Sequence, residues 1–557
     1  MRGRPAMTGT PAAVCLGLTL LAALAAVPGS ARAQDRTMGL ILREAEASEG
    51  YTLFAPMPYT ESYLIDPDGD LVQSWPGTLK PGLAAYLGED GLLLRTNDLG
   101  NLTFYGGGRG GRVEARDWDG EVAWSFDYSN TQHCLHHDIA RLPNGNVLML
   151  AWEYKTRDEA LAAGRNPARL SQNCLWPDHV IEFDPEANGI VWEWHVWDHL
   201  IQDFDSTREN YGDVAAHPEL IDVNFINGSS FAPADWNHSN SVAYNAELDQ
   251  VIISVRQLSE LWVIDHSTTT EEARRRGDLL YRWGNPFAYR RGLPSDEKLY
   301  GPHDIEWIAP GLPGAGNILI FNNGYGRFPG PFSEVIEIVP PCDSTGHYTI
   351  EPGAPYGPAA PVWTYRDPDS IRFYSSTISG CQRLPSGNTL ICSGETGDFF
   401  EGTPDGRVVW RYISPVNSRG PMRQFERIPL NSNSVFKVRR YQADYPGLAG
   451  RELLSRGPIE QYPQSVETAP GRPAARADLA AVPNPVRRGS VLVIHAAGRE
   501  NRVEVRDACG RLVRALLARK GRATWDGRDE RGLLAPAGVY YARASAGGGA
   551  VPVVVAR

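Results

Sequence analysis

One two-part phrase recurs along this chain of 557 residues and limits what it can fold into. Its first half is an alternating apolar run, a tight turn and a second run, as in "HDIARLPNGNVLMLAWE" (137–153) and "SGCQRLPSGNTLICSGE" (379–395). The NG and SG at the tips are hairpin signals, because short hairpin loops need residues that tolerate positive φ. Looser copies are "HSNSVAYNAELDQVIISVR" (238–256) and "HDIEWIAPGLPGAGNILIFNN" (303–323); "GLAAYLGEDGLLLRTN" (82–97) is weaker. The second half is an acidic turn and an apolar run ending in Trp, as in "VIEFDPEANGIVWEW" (180–194) and "FFEGTPDGRVVWRY" (399–412). Together the halves make a four-stranded meander, a unit that buries its faces only against copies of itself.

Trp75, Trp124, Trp192, Trp283, Trp363 and Trp410 end six such phrases. Six four-stranded units predict an all-β chain built as a six-bladed β-propeller, with most of these Trp residues packing the blades. A β-sandwich array would not account for the matched phrases. The first unit, ending "YLIDPDGDLVQSW" (63–75), lacks an inner hairpin, and "SVFKVRRY" (434–441) is the segment expected to supply its missing strand and close the ring.

In a propeller the first strand of each blade lines the central channel, and the residue opening it sits at the channel mouth. His137, His238 and His303 open three consecutive first strands, so all three are expected in one axial pocket. His238 and Arg256 are equidistant from the turn near Glu247 and should face each other across the strand pair. The same count sets Trp152 opposite His137 and Asn323 near His303, and Asn240 falls on the side of His238. Asp138 and Asp304 follow their His directly and should point away, toward backbone or a neighbouring blade. The insertions 154–179 and 195–236 lie at this same end, and their Trp, His and Asn content suits a lid over an aromatic substrate.

Residues 1–33 carry Arg2 and Arg4, an apolar run at 12–27 and "ARA" before Gln34. This is the pattern of a secretory signal, and the run is shorter than the ~20 residues of a membrane span. An exported, periplasmic or secreted protein without a membrane span after signal removal is expected. The formal charge is −12, and without the three signal arginines about −15, which argues against nucleic acid or an anionic membrane as partner. Cys134, Cys174, Cys342, Cys381, Cys392 and Cys509 form no C-x-x-C pair. In an exported chain disulfides are plausible. Cys134 and Cys174 both fall at the loop end of one blade, so a bridge between them is favoured over one between Cys381 and Cys392, which are equidistant from their turn.

A lone His at a strand start is ordinarily structural; three at one repeat position with a paired Arg are not. A His trio can hold zinc or copper, as in a metal-dependent hydrolase or lyase, but a guanidinium beside a dication is unfavourable and beside an anion favourable. A non-catalytic ligand-binding propeller would not require the trio. The Trp-ending phrases also fit quinoprotein blades, but six units rather than eight and the lack of an adjacent cysteine pair speak against that. There is no G-x-x-x-x-G-K-[ST] phosphate loop.

The phrases "HDI…LPNGN", "WNHSNSV" followed by "ISVR", and "PHDIEW…GN", in this order, resemble the bacterial arylsulfate sulfotransferase family over roughly 49–445. The resemblance implies a six-bladed propeller that moves a sulfuryl group from an aryl sulfate ester to a phenolic acceptor through a sulfated histidine, with no nucleotide and no cofactor. It implies His303 as nucleophile, with His137, His238 and Arg256 binding the sulfuryl oxygens or serving proton transfers; Asn240, Asn323 and Trp152 are the accompanying substrate-side candidates. The chain departs from better-known members in having only about 15 residues between the signal and the first blade, which leaves its oligomeric state open. His136 beside His137 makes that position register-dependent, and the shared "HDI" favours His137. The expected organisation is a signal (1–33), a propeller (34–466), a Pro/Ala-rich linker (467–481) and a C-terminal domain (482–557). That domain resembles the small Ig-like β-sandwich related to flagellar hook-capping and secretion-associated tails.

Overall fold

The computed structural model describes residues 36–227, 233–368 and 373–462, and in the C-terminal stretch 479–482, 486–487, 492–496, 500–507, 510–519, 522–544 and 551–556. The expected signal, most of the linker and Cys509 lie outside the described residues. The chain is mostly β and divides into two compact units, 1–463 and 464–557.

The first unit contains six antiparallel meanders. Five begin with the strands β1 (Pro81–Leu87), β2 (His133–Arg141), β3 (Ser239–Asn245), β4 (Asp304–Trp307) and β5 (Gly380–Arg383), each leading outward through three further strands. The sixth begins with β6 (Val435–Tyr441), which pairs with Tyr51–Pro56 in the register Tyr51↔Tyr441 to Phe54↔Val438. The late segment therefore completes the first-encoded sheet, as its sequence predicted. Gly39–Arg43 adds a fifth strand to the β5 sheet beside Val408–Ile413, so the two ends of the unit tie neighbouring sheets together. β1 to β6 touch in cyclic order, each against the next and β6 against β1, which makes the arrangement propeller-like.

The repeated Trp residues all lie on fourth strands, and four of the six indoles bond across to the next sheet. Trp75 Nε1 donates to Asp117 O, Trp283 to Pro358 O, Trp363 to Pro404 O and Trp410 to Pro67 O, at 2.8–3.0 Å. Each acceptor lies in the next sheet or its loops. The indole fills the gap between sheets and satisfies its own N–H there, so one residue type both buries a large area and pins neighbours.

The expected bridge between Cys134 and Cys174 is not formed. Both are free and lie in one apolar cluster with Phe104, Trp152, Trp176 and Ala234. Cys381 and Cys392 are free too, and the register Gly380↔Cys392, Cys381↔Ile391 puts them one residue out of opposition. Successive strand residues face opposite sides, so these two thiols enter different clusters.

The second unit is described by a sheet of eight strands between Leu479 and Ala556, with a core around Val503, Val505, Trp525, Tyr540 and Val553. Among the described residues no helix is long and apolar enough to cross a membrane.

Candidate active site

The middle of β2 and the residues just before β3 and β4 bring His137, His238 and His303 together, so His137 does not open its strand as expected. The rings of His137 and His238 are 4.7 Å apart, centroid to centroid, and edge-to-face. Charge on His303 is opposed by Arg256 and His238, and charge on His137 by His238, His136, His303 and Arg256, which places all of these groups in one electrostatic neighbourhood. His137 and His303 are each only 2% exposed.

Two of the three imidazoles are aimed by backbone that departs from regular strand. His137 and His238 have φ of +52° and +53°, a left-handed conformation costing of order 1–3 kcal/mol per non-Gly residue and concentrated at functional sites. On β2 the register passes from Ile139↔Met149 to Leu135↔Ala151, so residues 136–138 bulge out. The bulge separates two adjacent histidines. His136 stacks on Trp152 at 4.1 Å, while His137 Nδ1 meets His136 Nδ1 at 2.9 Å.

The bulge also corrects one expectation. Trp152 lies opposite Cys134, not His137, because a uniform count from the turn misses the extra residues of β2. Trp152 is fully buried behind His136, with Phe104 and Trp176 beside it. The predicted pairing of His238 with Arg256 is met: Ser239 opposes Val255, and Arg256 N donates to His238 O at 3.2 Å. Asn240 is buried and ties β3 to the residue before His303, its Nδ2 donating to Pro302 O at 3.0 Å.

His303 has a defined tautomer. Its Nδ1 lies 2.8 Å from Asn323 Oδ1 and 3.1 Å from Gly301 O. Asn323 Nδ2 is committed to Ser375 O and Ile378 O, so its oxygen faces the ring. Both neighbours of Nδ1 are acceptors; Nδ1 therefore carries the proton and Nε2 keeps its lone pair. Burial, then Arg256 and His238, hold the His303 pKa well below its usual 6.5. Burial and the surrounding His and Arg groups do the same to His137. Both rings are neutral at neutral pH.

Arg256 is half-buried, and burial lowers its pKa. Its Nε has no hydrogen-bond partner, its guanidinium lies over Tyr325 at 5.1 Å, and among the described residues no carboxylate lies within ion-pair distance of it. A half-buried cation with no carboxylate in contact, beside the neutral rings of His137 and His303, is a place for an anion.

The remaining three sheets present apolar residues. Leu83 from β1, Ile378 just before β5 and Phe436 from β6 form one cluster with Met57 against it, and Phe436 lies 6.1 Å from His137. Beneath the histidines, Asp138 and Asp304 turn away from the site as expected. Lys437 Nζ of β6 bridges them at 2.7 and 2.9 Å.

Several groups escaped the sequence reading. Asp235 Oδ2 lies 2.5 Å from His238 Nδ1. Asp178 Oδ1 is 3.3 Å from His136 Nε2, close enough for an ion pair but not aligned as a hydrogen bond. The run "GGGRGG" at 106–111 passes over the site: a Cβ on Gly108, whose φ is +79°, would sit 2.1 Å from the His137 ring. That glycine run and the Asp three residues before His238 were the available signals.

A cavity of about 640 Å³ opens at the other end of the six strands, among Tyr86, Gly145, Gln382, Tyr441 and Tyr445. Its arginines are already paired, Arg439 with Glu306 and Arg141 with Asp90, so the histidine mouth is the better anion site.

The chain is similar at 11% identity to a protein of unknown function from Bacteroides caccae, over 70% of this chain and 98% of that one, with a TM-score of 0.39. It is similar at 8% to a streptogramin B lyase over 71% and 84%, TM-score 0.34, and at 10% to virginiamycin B lyase from Staphylococcus aureus over 68% and 85%, TM-score 0.33. Overlaps of this size say nothing of function. No curated protein matches the chain. The sequence model of the family described as Arylsulfotransferase (ASST) matches residues 86–428, a span from β1 to beyond β5 that contains all three histidines and Arg256, and the chain therefore belongs to the arylsulfotransferase family.

Proposed function

We propose that this sulfotransferase is a six-bladed β-propeller enzyme that moves a sulfuryl group from an aryl sulfate ester to a phenol through a sulfohistidine on His303. The observation that carries the reading is the His303 tautomer, Nδ1–H held by Asn323 and Nε2 free, beside an Arg256 without a carboxylate partner. Transfer from a sulfate monoester should resemble phosphoryl transfer, in line and governed by positioning and electrostatics. A neutral imidazole nitrogen attacks sulfur without prior deprotonation. Arg256 and His137 stand where they can hold the sulfuryl oxygens, and the apolar cluster of Leu83, Ile378 and Phe436 offers the aryl ring a dry surface. A phenol then reverses the path.

The test is release of 4-nitrophenol from 4-nitrophenyl sulfate, with and without phenol, and with neither metal nor nucleotide added. Phenol-dependent release is expected, and His303→Ala should abolish both turnover and the sulfated intermediate. Near-normal turnover by His303→Ala removes the nucleophile assignment. Activity lost to EDTA and restored by zinc favours the three-histidine metal reading instead.

Export is part of the proposal, resting on residues 1–33; mature protein beginning at Gln34 in N-terminal sequencing supports it, and a retained leader counts against it. So is an Ig-like character for the C-terminal unit, whose alternating strands are its support.

A further inference from the structure

The three histidines differ in what holds Nδ1. For His303 it is an amide oxygen and a backbone carbonyl. For His137 it is the imidazole of His136. For His238 it is the carboxylate of Asp235, at 2.5 Å, with both residues buried. An acceptor amide fixes a tautomer and leaves the ring neutral; a carboxylate fixes the same tautomer and also stabilises the imidazolium.

We propose that Asp235 is the positioning residue that makes His238 the proton shuttle of the transfer, leaving its Nε2 to protonate the departing phenoxide and to deprotonate the incoming phenol. This rests on the sulfotransfer reading above.

The surroundings of His238 make the carboxylate necessary. His137 faces it from β2, His303 from β4 and Arg256 from the strand paired with β3. Arg256 opposes a second positive charge and the two rings cannot offset one; Asp235, on the loop leading into β3, is the anion that does. Asp235 also acts on Arg256, whose charge it favours. Its second oxygen, Oδ1, is buried with no partner among the described residues, so its charge is not spent on another donor. Room for it depends on Gly106, where a Cβ would stand 2.8 Å from Asp235 Oδ2.

The proton balance closes. His303 Nε2 attacks sulfur; the S–N bond forms, the S–OAr bond breaks, and its electron pair leaves on the phenoxide. That oxygen takes the proton of His238 Nε2, and His238 becomes neutral. The acceptor phenol then gives its proton to His238 Nε2 as its oxygen attacks sulfur; the S–N bond breaks and its pair returns to His303. One proton is lent and recovered per cycle.

The experiment compares two donors with the wild-type protein and with Asp235→Asn. Phenyl sulfate expels a strongly basic phenoxide, whose phenol has a pKa near 10, whereas 4-nitrophenyl sulfate expels a weakly basic one. Asp235→Asn should slow phenyl sulfate about 10²–10³-fold, as for loss of general acid catalysis, and 4-nitrophenyl sulfate by about tenfold or less. Equal losses on both donors would overturn the proposal. His238→Ala should show the same donor dependence, which keeps the test open if Asp235→Asn does not fold. The double variant should be no slower than His238→Ala alone; additive losses would show that Asp235 acts elsewhere. Wild-type protein that transfers from neither donor refutes the sulfotransfer reading and this inference with it.

Discussion

Lys437 links β2, β4 and β6 through Asp138 and Asp304 and can be removed by one substitution. Its Nζ sits 2.7 Å from Asp138 and 2.9 Å from Asp304, with all three side chains nearly inaccessible. Burial alone would lower its pKa, but the two carboxylates outweigh burial and raise it well above the usual lysine value. In Lys437→Met, Asp138 keeps donors in Tyr86 Oη and Val242 N, and Asp304 keeps Cys381 N, yet both charges lose their compensating cation. Breaking a buried pair in this way costs about 3–5 kcal/mol. With an unfolding entropy of about 2.1 cal/mol/K per residue, the roughly 430 residues of the first unit (36–463) give about 0.9 kcal/mol/K. The melting temperature should therefore fall by about 3–5 °C in calorimetry. Lys437→Met/Asp138→Asn should recover part of this, since the remaining Asp304 still has Arg439 at 3.9 Å. A single variant within 1 °C of wild type, or a double variant less stable than the single, would refute the compensating role. The cluster also joins β2, β4 and β6 one residue beyond His137 and His303, so turnover should fall along with stability.

Three further outcomes are expected. Gly108→Ala should cost activity out of proportion to stability, because the new Cβ would meet the His137 ring while the positive φ adds about 1–2 kcal/mol; unaltered turnover would contradict the contact. Burial keeps His303 and His137 uncharged, so the acid limb of kcat/KM for 4-nitrophenyl sulfate should lie below pH 6.5. The unfolded chain takes up these protons first, so stability should decline as pH drops below about 6.5; an acid limb above that pH would count against neutral rings. His195 behaves oppositely: burial opposes its charge, but Glu153 and Glu193 prevail and push its pKa up to about 9. Its contribution, at most about 3.4 kcal/mol, is complete below pH ~6.5 and vanishes as pH rises through about 9. Thermal unfolding of His195→Gln should accordingly show a deficit at pH 6 that closes by about pH 10.

The repeat was legible because its physics is local. Alternation, turn residues and a terminal Trp are written into each unit, and even the closing strand at 434–441 could be inferred from the hairpin missing near Tyr51. The pairing of His238 with Arg256 is met although a bulge at Asn240 interrupts the ladder: Asn245↔Gln250 near the turn and Ser239↔Val255 at the site differ in register by one residue. Trp152 and the pair Cys381 and Cys392 were misplaced by the same kind of count. Each was counted symmetrically from its turn, and such a count contains neither the bulge at 136–138 nor the one-residue offset that pairs Gly380 with Cys392. Asp235 and the glycines at 106 and 108 reach the site from loops, where strand periodicity gives no address. Most of all, the three histidines read alike in the sequence, each expected to open the same kind of strand, although His137 lies within the bulge of β2. Their inequality comes from what meets Nδ1: Asn323 for one, His136 for another, Asp235 for the third. Imidazole chemistry is decided by the atom on its far nitrogen, and the tertiary fold alone supplies that atom.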